Sequence, residues 1–320
     1  MEEPVVKVEH LSHRYSIQWA VRDISFEIPR GGIYGLLGSN GAGKSTTMNI
    51  ISGVIKQTEG QVFINGIDAR KRPVDAKRHI GFLPQKPPLY GDLTVEEYLI
   101  HCARLRWVAD KDLLPAVDEV LAKCGITHFR KRLIKNLSGG YQQRVGIAQA
   151  IVHKPDLVIF DEPTNGLDPN QIMEIRHLIH DIAKDRTVIL STHILTEVQA
   201  VCDRVIIINK GRIVATDTPD NLAKTAIKSN KLEIRVKGPK NDVLNGIAQI
   251  PGIKFAEIVR IREEGSVDVN IETEEDADVR EAIFEFCSEN HYPILLMKTT
   301  EVNLEDIFLQ ITGEREAKRA

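Results

Sequence analysis

Ile33-Tyr34-Gly35-Leu36-Leu37-Gly38-Ser39-Asn40-Gly41-Ala42-Gly43-Lys44-Ser45-Thr46 is a short apolar run that breaks into glycines and resumes on Lys-Ser-Thr. Ile33 to Leu37 has the length and composition of a buried strand, and from Thr46 to Ile55 the apolar spacing is helical. The loop between them fits G-x-x-x-x-G-K-[ST] in the strand-loop-helix setting that this pattern requires. Glycines let successive backbone N–H groups turn inward around phosphate oxygens, and the helix N-terminus adds partial positive charge. Gly38, Ser39, Asn40, Gly41, Ala42, Gly43, Lys44, Ser45 and Thr46 are therefore candidate nucleotide contacts. Lys44 is expected to reach the β- and γ-phosphates of ATP, and Ser45 to place its hydroxyl on Mg²⁺.

Working outward, Leu157-Val158-Ile159-Phe160 is a second apolar strand, and it ends in Asp161-Glu162. Ligands of α/β sheets gather at the C-terminal edges of strands. Asp161 is the expected Mg²⁺ ligand and Glu162 the expected general base for an attacking water. Further elements alternate: helix from Gly140 to Val152, helix from Asn170 to Lys184, strand from Thr187 to Ser191, helix from Leu195 to Cys202, strand from Arg204 to Ile208. This order implies a mostly parallel sheet with helices on both faces. Ahead of it, alternation at Val6 and Val8 and at Ile24 to Ile28 suggests an antiparallel hairpin, and Gly60 to Ile67 another strand. Between about Gly91 and Leu137 the texture is helical, opened by a capping box at Thr94 to Glu97.

Composition narrows the class. The 320 residues are 42 % apolar and 27 % charged, with a net charge of −3 that argues against a nucleic-acid partner. Cys102, Cys124, Cys202 and Cys287 are dispersed, so neither a disulfide framework nor a zinc site is expected. No apolar run reaches the roughly 18–20 residues that cross a bilayer, and the opening MEEPVVKVEH lacks the profile of a signal peptide.

A phosphate loop and an acid pair occur in many NTPases. Leu137-Ser138-Gly139-Gly140-Tyr141-Gln142-Gln143-Arg144, just upstream of the Asp-Glu strand, narrows the field. Here the chain resembles the ATP-binding-cassette (ABC) ATPases, whose signature is LSGGQ. The resemblance runs strongly over residues 4–226. It implies a RecA-like P-loop core with an antiparallel β subdomain and a helical insertion. It also implies a head-to-tail dimer, in which each ATP is held by Lys44 of one chain and by Ser138, Gly139 and Gly140 of the other. By the same resemblance Gln85 is the Q-loop residue that senses Mg²⁺ and γ-phosphate. Asp168 lies in the loop that crosses the dimer interface, His193 contacts the γ-phosphate, and Tyr15 stacks on adenine. Ser39 and Tyr141 depart from the common Pro and Gln of the family, and neither replaces a catalytic group.

From Lys231 the order strand, helix, two strands, helix, strand is that of a ferredoxin-like α+β domain. Residues 231–312 hold nine Lys/Arg against seventeen Asp/Glu, a balance of −8. A last helix is expected over Leu304 to Ile311. The expected division is 1–228 for the ATPase, with its helical part at about 86–137, then 229–312 for the accessory domain and 313–320 for a flexible tail. This module resembles the tails of ATPases from ABC-2-type exporters and gliding-motility-associated ATP-binding subunits. The expected partners are a second copy or a paired ATPase subunit, and integral-membrane transporter subunits on separate chains, which would hold the protein on the cytoplasmic face of the membrane. Pro87, Pro88, Leu89 and Tyr90 offer an apolar rim for a membrane partner's helix. The competing reading is a non-transport ABC ATPase acting on nucleic acid or ribosomes; the single cassette and the acidic C-terminal part oppose it.

Overall fold

The alternation at Val6 and Val8 becomes a hairpin of β1 (Val6–Tyr15) and β2 (Gln18–Ile28), with Val6 opposite Ile28. In this computed structural model residues 3–226, 231–260, 265–274 and 277–300 are described. The elements that follow, up to residue 226, are β3 (Ile33–Leu37), α1 (Lys44–Ile51), β4 (Glu59–Ile64), β5 (Ile67–Asp68), α2 (Pro73–Arg78), β6 (Ile80–Leu83), α3 (Val95–Leu105), α4 (Leu113–Lys123), α5 (Gly139–Ile151), β7 (Leu157–Asp161), α6 (Pro169–Ala183), β8 (Thr187–Thr192), α7 (Leu195–Val201), β9 (Arg204–Asn209), β10 (Arg212–Asp217) and α8 (Pro219–Ala226).

Two sheets result. One runs β2-β1-β4-β5 and is antiparallel; the other runs β10-β9-β3-β8-β7-β6 and is parallel except for β10. The expected mostly parallel sheet is present, and one apolar core joins it to the antiparallel sheet through Met48, Ile50 and Ile51 of α1. Each of those side chains contributes about 1.5–3 kcal/mol by burial. The first sheet bends where β1 slips register between Glu9 and Ser12, with His10 in the left-handed region at φ 49°. Gly60 opposite is obligatory there, because a Cβ would stand 2.3 Å from the His10 carbonyl oxygen.

The helical insertion starts as the capping box predicts: the Glu97 N–H donates to Thr94 Oγ1 at 3.3 Å, and the Thr94 N–H to Glu97 Oε2 at 2.8 Å. Boundaries differ modestly elsewhere. Helix α1 starts two residues early, at Lys44, and stops at Ile51 ahead of Gly53 at φ 71°, short of the Ile55 expected from spacing. The sequence reading passed over α2, β6 and β10, which are short or flanked by turns.

The chain divides into two units, Met1–Pro219 and Asp220–Ala320. The second contains β11 (Lys231–Lys237), α9 (Lys240–Ala248), β12 (Ile253–Arg260), β13 (Ser266–Thr273), α10 (Arg280–Glu289) and β14 (Ile294–Thr300). Its antiparallel order, β12-β13-β11-β14, is the ferredoxin-like arrangement. Helix α10 begins at Arg280. The helix expected over Leu304 to Ile311 and the tail 313–320 lie outside the described residues. Val243, Ile247 and Ile283 pack against Val267, Val269 and Ile271 in its core. Across the sheet, the Arg235 guanidinium donates to both oxygens of Asp268, at 2.6 and 3.1 Å, and Asp268 is 2 % exposed. Asp268→Ala is expected to cost about 3 kcal/mol or more, because it leaves a guanidinium without that partner in a low-dielectric setting. Urea unfolding of the full chain checks this, with nucleotide binding as the control for the first unit.

Candidate active site

Four strand ends of the parallel sheet converge on one place. β3 delivers the phosphate loop, β7 the acid pair, β8 the His193 turn and β6 the segment with Gln85. The loop needs its glycines: a Cβ on Gly38 would stand 2.4 Å from the Ile208 carbonyl oxygen, and Gly43 caps α1 at φ 109° with the Ala20 carbonyl 2.7 Å from its would-be Cβ. Lys44 Nζ lies inside the loop, donating to the carbonyls of Gly38 at 2.8 Å and Ser39 at 3.2 Å. Burial pushes the Lys44 pKa down, opposed by the negative field of Glu162 and Asp161.

The acid pair is held differently on its two members. Asp161 lies 4 % exposed, with Ser45 Oγ donating to Oδ1 at 3.4 Å, and burial raises its pKa. Glu162 sits in the left-handed region at φ 50°, a conformation that costs a β-carbon residue about 1–2 kcal/mol. That turn swings its carboxylate toward the cavity. Oε2 accepts from Gln85 Nε2 at 2.9 Å and from Asn165 Nδ2 at 3.4 Å, while Oε1 meets His193 Nδ1 at 2.9 Å.

A cavity of about 320 Å³ is lined by Tyr15, Asn40, Gly41, Gly43, Lys44, Ser45, Thr46, Gln85 and Glu162. It is also lined by Gln18, Trp19 and Ala20, which the sequence reading missed. Nothing in the local pattern marks them; they arrive because β2 starts six residues earlier than its apolar alternation shows. Tyr15 is 52 % exposed and edge-on to His13, 4.7 Å between ring centroids. Trp19 is flanked by the guanidinium carbons of Arg14 and Arg22, at 5.6 and 5.9 Å from its ring.

Gly38, Ser39 and Ala42 belong to the loop but do not line the cavity, and three further expected nucleotide contacts lie elsewhere in the fold. Ser138, Gly139 and Gly140 open α5 and do not line this cavity. The Ser138 side chain makes no capping bond, and a Cβ on Gly139 would meet open space. Gly140 is packed: its Cβ would stand 2.5 Å from Gln171 Oε1. Asp168 also stands outside the cavity and caps α6, accepting from the Gln171 N–H at 2.9 Å. Gln143 of α5 donates to the Pro163 carbonyl at 2.7 Å, which braces the signature helix against the residue after Glu162.

The family model described as ABC transporter matches residues 21–165. The bacitracin transport ATP-binding protein BcrA of Bacillus licheniformis is 34 % identical over 97 % of both chains. The chain belongs to the ABC transporter family. The linearmycin resistance ATP-binding protein LnrL of Bacillus subtilis (strain 168) is 31 % identical over 97 % of this chain and 98 % of its own length. Among solved structures, a dimeric post-hydrolysis state of the ATP-binding cassette MJ0796 with ADP and Pi matches at a TM-score of 0.61 and 26 % identity, over 67 % of this chain and 98 % of that one. As an ABC protein the chain is an ATP-binding, ATP-hydrolysing subunit of a transporter. The fold and family expected from Gly38 to Ser45 and Leu137 to Arg144 hold.

The donors fit the expected metal. Ser45 and Asp161 offer hard oxygen atoms on one side of the phosphate loop, with the Gln85 amide at the Glu162 carboxylate. Among the described residues no cluster of three or more His, Cys, Asp or Glu side chains could cage a metal. Mg²⁺ takes few protein ligands and completes its octahedron with water and phosphate oxygens, and a hydroxyl and a carboxylate beside the phosphate loop are donors of that kind.

Proposed function

We propose that two copies of this chain close head to tail around two ATP·Mg²⁺, and that hydrolysis reopens them to drive export through separate membrane subunits. One observation carries the reading. The chain builds two anion-binding loops at helix N-termini, and its own catalytic cavity takes only one of them. The Ser138 loop, with a free hydroxyl and an open Gly139, is suited to the γ-phosphate of a nucleotide bound by the other copy. The dimeric cassette among the solved relatives, and relatives named for bacitracin transport and linearmycin resistance, support the same arrangement. They also disfavour the nucleic-acid reading.

In this reading Tyr15 stacks on the adenine ring, backbone amides of Gly41 to Ser45 hold phosphate oxygens, and Lys44 turns from the loop carbonyls to the β- and γ-phosphates. Ser45, Asp161 and Gln85 hold Mg²⁺, which neutralises phosphate charge when bound. Glu162 takes the proton of the attacking water. Gln85 and His193, each bonded to one oxygen of Glu162, orient the base and report the γ-phosphate. Asp168 shapes the loop that meets the other copy.

Ser138→Arg separates the shared site from a one-chain site. Hydrolysis is expected to fall by about a hundredfold or more, the scale of losing a donor to a developing charge. Binding of a fluorescent ATP analogue to the isolated chain should stay within about twofold, as Ser138 does not line the cavity. Parallel loss of binding would place Ser138 in its own chain's pocket and sink the shared-site reading.

The membrane contact is assigned to apolar surface on the helical insertion and beside it. Among the described residues no helix is long and apolar enough to cross a membrane. Tyr90 is 55 % exposed and edge-on to Tyr98; beyond it Leu105 and Trp107, 65 % and 70 % exposed, line a groove with Val54, Val74 and Phe82. Leu105 lies one turn of α3 beyond His101, whose ring is 5.9 Å from that of Tyr90, and the groove suits one helix of a membrane subunit. Tyr90→Glu and Leu105→Glu should leave ATPase activity of the isolated chain within about twofold and abolish transport by the assembled complex. Lost nucleotide binding in either variant would overturn the assignment.

A further inference from the structure

Glu197 is a carboxylate where none is needed for solubility. It lies on α7 beside the buried Val198 and Val201 and is 3 % exposed. A carboxylate at such a place costs several kcal/mol unless its oxygens are bonded. Both are. Thr164 Oγ1 donates to Oε1 at 2.5 Å, and Thr192 Oγ1 donates to Oε2 at 2.8 Å. The Thr192 hydroxyl also accepts from the Ile194 N–H at 3.0 Å, so its one proton is committed to Glu197. Both threonines are themselves buried, at 6 % and 1 % exposed.

The sequence positions of these threonines give the contact its meaning. Thr164 is two residues after Glu162, and Thr192 is the residue before His193. The two side chains whose contact at 2.9 Å closes the site are thus each one short step of backbone from the same carboxylate. Strands β7 and β8 are paired only as far as Asp161 and Ser191. One further backbone bond, from the Glu162 N–H to the Ser191 carbonyl at 3.0 Å, ends the ladder between these two strands. Thr192 pairs onward only with Leu37 of β3, so among the described residues Thr164 and the His193 turn have no ladder bond to each other.

We propose that Glu197 is a positioning residue for ATP hydrolysis: its carboxylate clamps the turns after β7 and β8 through Thr164 and Thr192, and so sets the distance between the Glu162 carboxylate and the His193 ring. The inference rests on the proposed roles of Glu162 and His193. Glu197 does not line the cavity. A hydrophobic residue of similar size would fill its place in α7 without tying either turn.

Glu197→Gln tests this in the full chain. The amide keeps the volume but offers only one acceptor oxygen, so one threonine hydroxyl must turn away. The expected result is a kcat about ten- to a hundredfold lower with ATP affinity and KM for ATP within about twofold, because only the reacting geometry loosens. Thr192→Val should reproduce the split and Thr192→Ser should restore most of kcat. The double variant Thr192→Val/Glu197→Gln should be no slower than the slower single one, as both remove the same link. Thr192→Val leaves the Glu197 side chain itself in place and keeps the test open if Glu197→Gln does not fold. An unchanged kcat in Glu197→Gln and Thr192→Val, an equal loss of ATP affinity, or additive effects in the double variant would each overturn the proposal. Full hydrolysis by Glu162→Gln, in contrast, would remove the catalytic reading beneath it.

Discussion

Glu162→Gln is expected to bind ATP and fail to hydrolyse it. The exchange keeps the size of the side chain and asks the same left-handed backbone of a residue with similar preferences, so the φ of 50° and the turn after β7 should persist. It removes the single basic group that both Gln85 and His193 aim into the cavity. Positioned general bases contribute about a hundred- to ten-thousandfold, and steady-state ATPase should fall by that factor. Nucleotide should bind at least as well, since a negative charge beside the phosphates has gone. With MgATP the variant should accumulate as a dimer in size-exclusion chromatography and return to monomer with MgADP. A rate within about tenfold of wild type would mean that another group activates the water. His193→Ala would then be the next variant to assay.

Lys44→Ala should instead weaken binding itself. In the structure its ammonium is buried in the loop, 5 % exposed, within the field of Asp161 and Glu162. Removing it takes away charge-assisted bonds to the phosphates and leaves two carboxylates facing an anionic ligand. The loss is about 3 kcal/mol, or about a hundredfold in Kd, from isothermal titration with ATP. Stability of the ligand-free protein should hold or rise, because burial disfavours the charged lysine and alanine removes that cost. Near-normal affinity would show that the backbone amides alone carry the phosphates. Loss of folding would show that the Gly38 and Ser39 carbonyls require the ammonium. The two variants separate capture from cleavage: one should lack the ligand, the other should be unable to release it.

Much of this site is written in contiguous residues. Gly38 to Ser45 and Asp161-Glu162 stood out as candidates before any contact was known, because phosphate loops and strand ends demand particular residues at fixed local spacing, and Leu137 to Arg144 stood out through its resemblance to the ABC signature. The capping box at Thr94 was legible for the same reason. So was the ferredoxin-like order after Lys231, where period-2 and helical patterns alternate cleanly. Helix α2 and strand β6 were not legible: six and four residues are too few to show a period, and Pro73 reads as a breaker before it reads as a helix start.

What the amino-acid order supplied by itself is a set of candidates, groups suited to phosphate, to a metal and to a proton, together with the succession of strands and helices. Only the tertiary structure decided what meets what. It put Gln85 on Glu162 across 77 residues and Trp19 on the rim of the nucleotide cavity. It also kept the Ser138 loop out of that cavity, and it buried Glu197 between two threonines. Backbone turns and periodic burial are set by residues within a few positions of one another, so they can be read along the chain. Hydrogen bonds between distant side chains depend on strand order and on where each strand stops, and these are fixed by packing of the whole sheet.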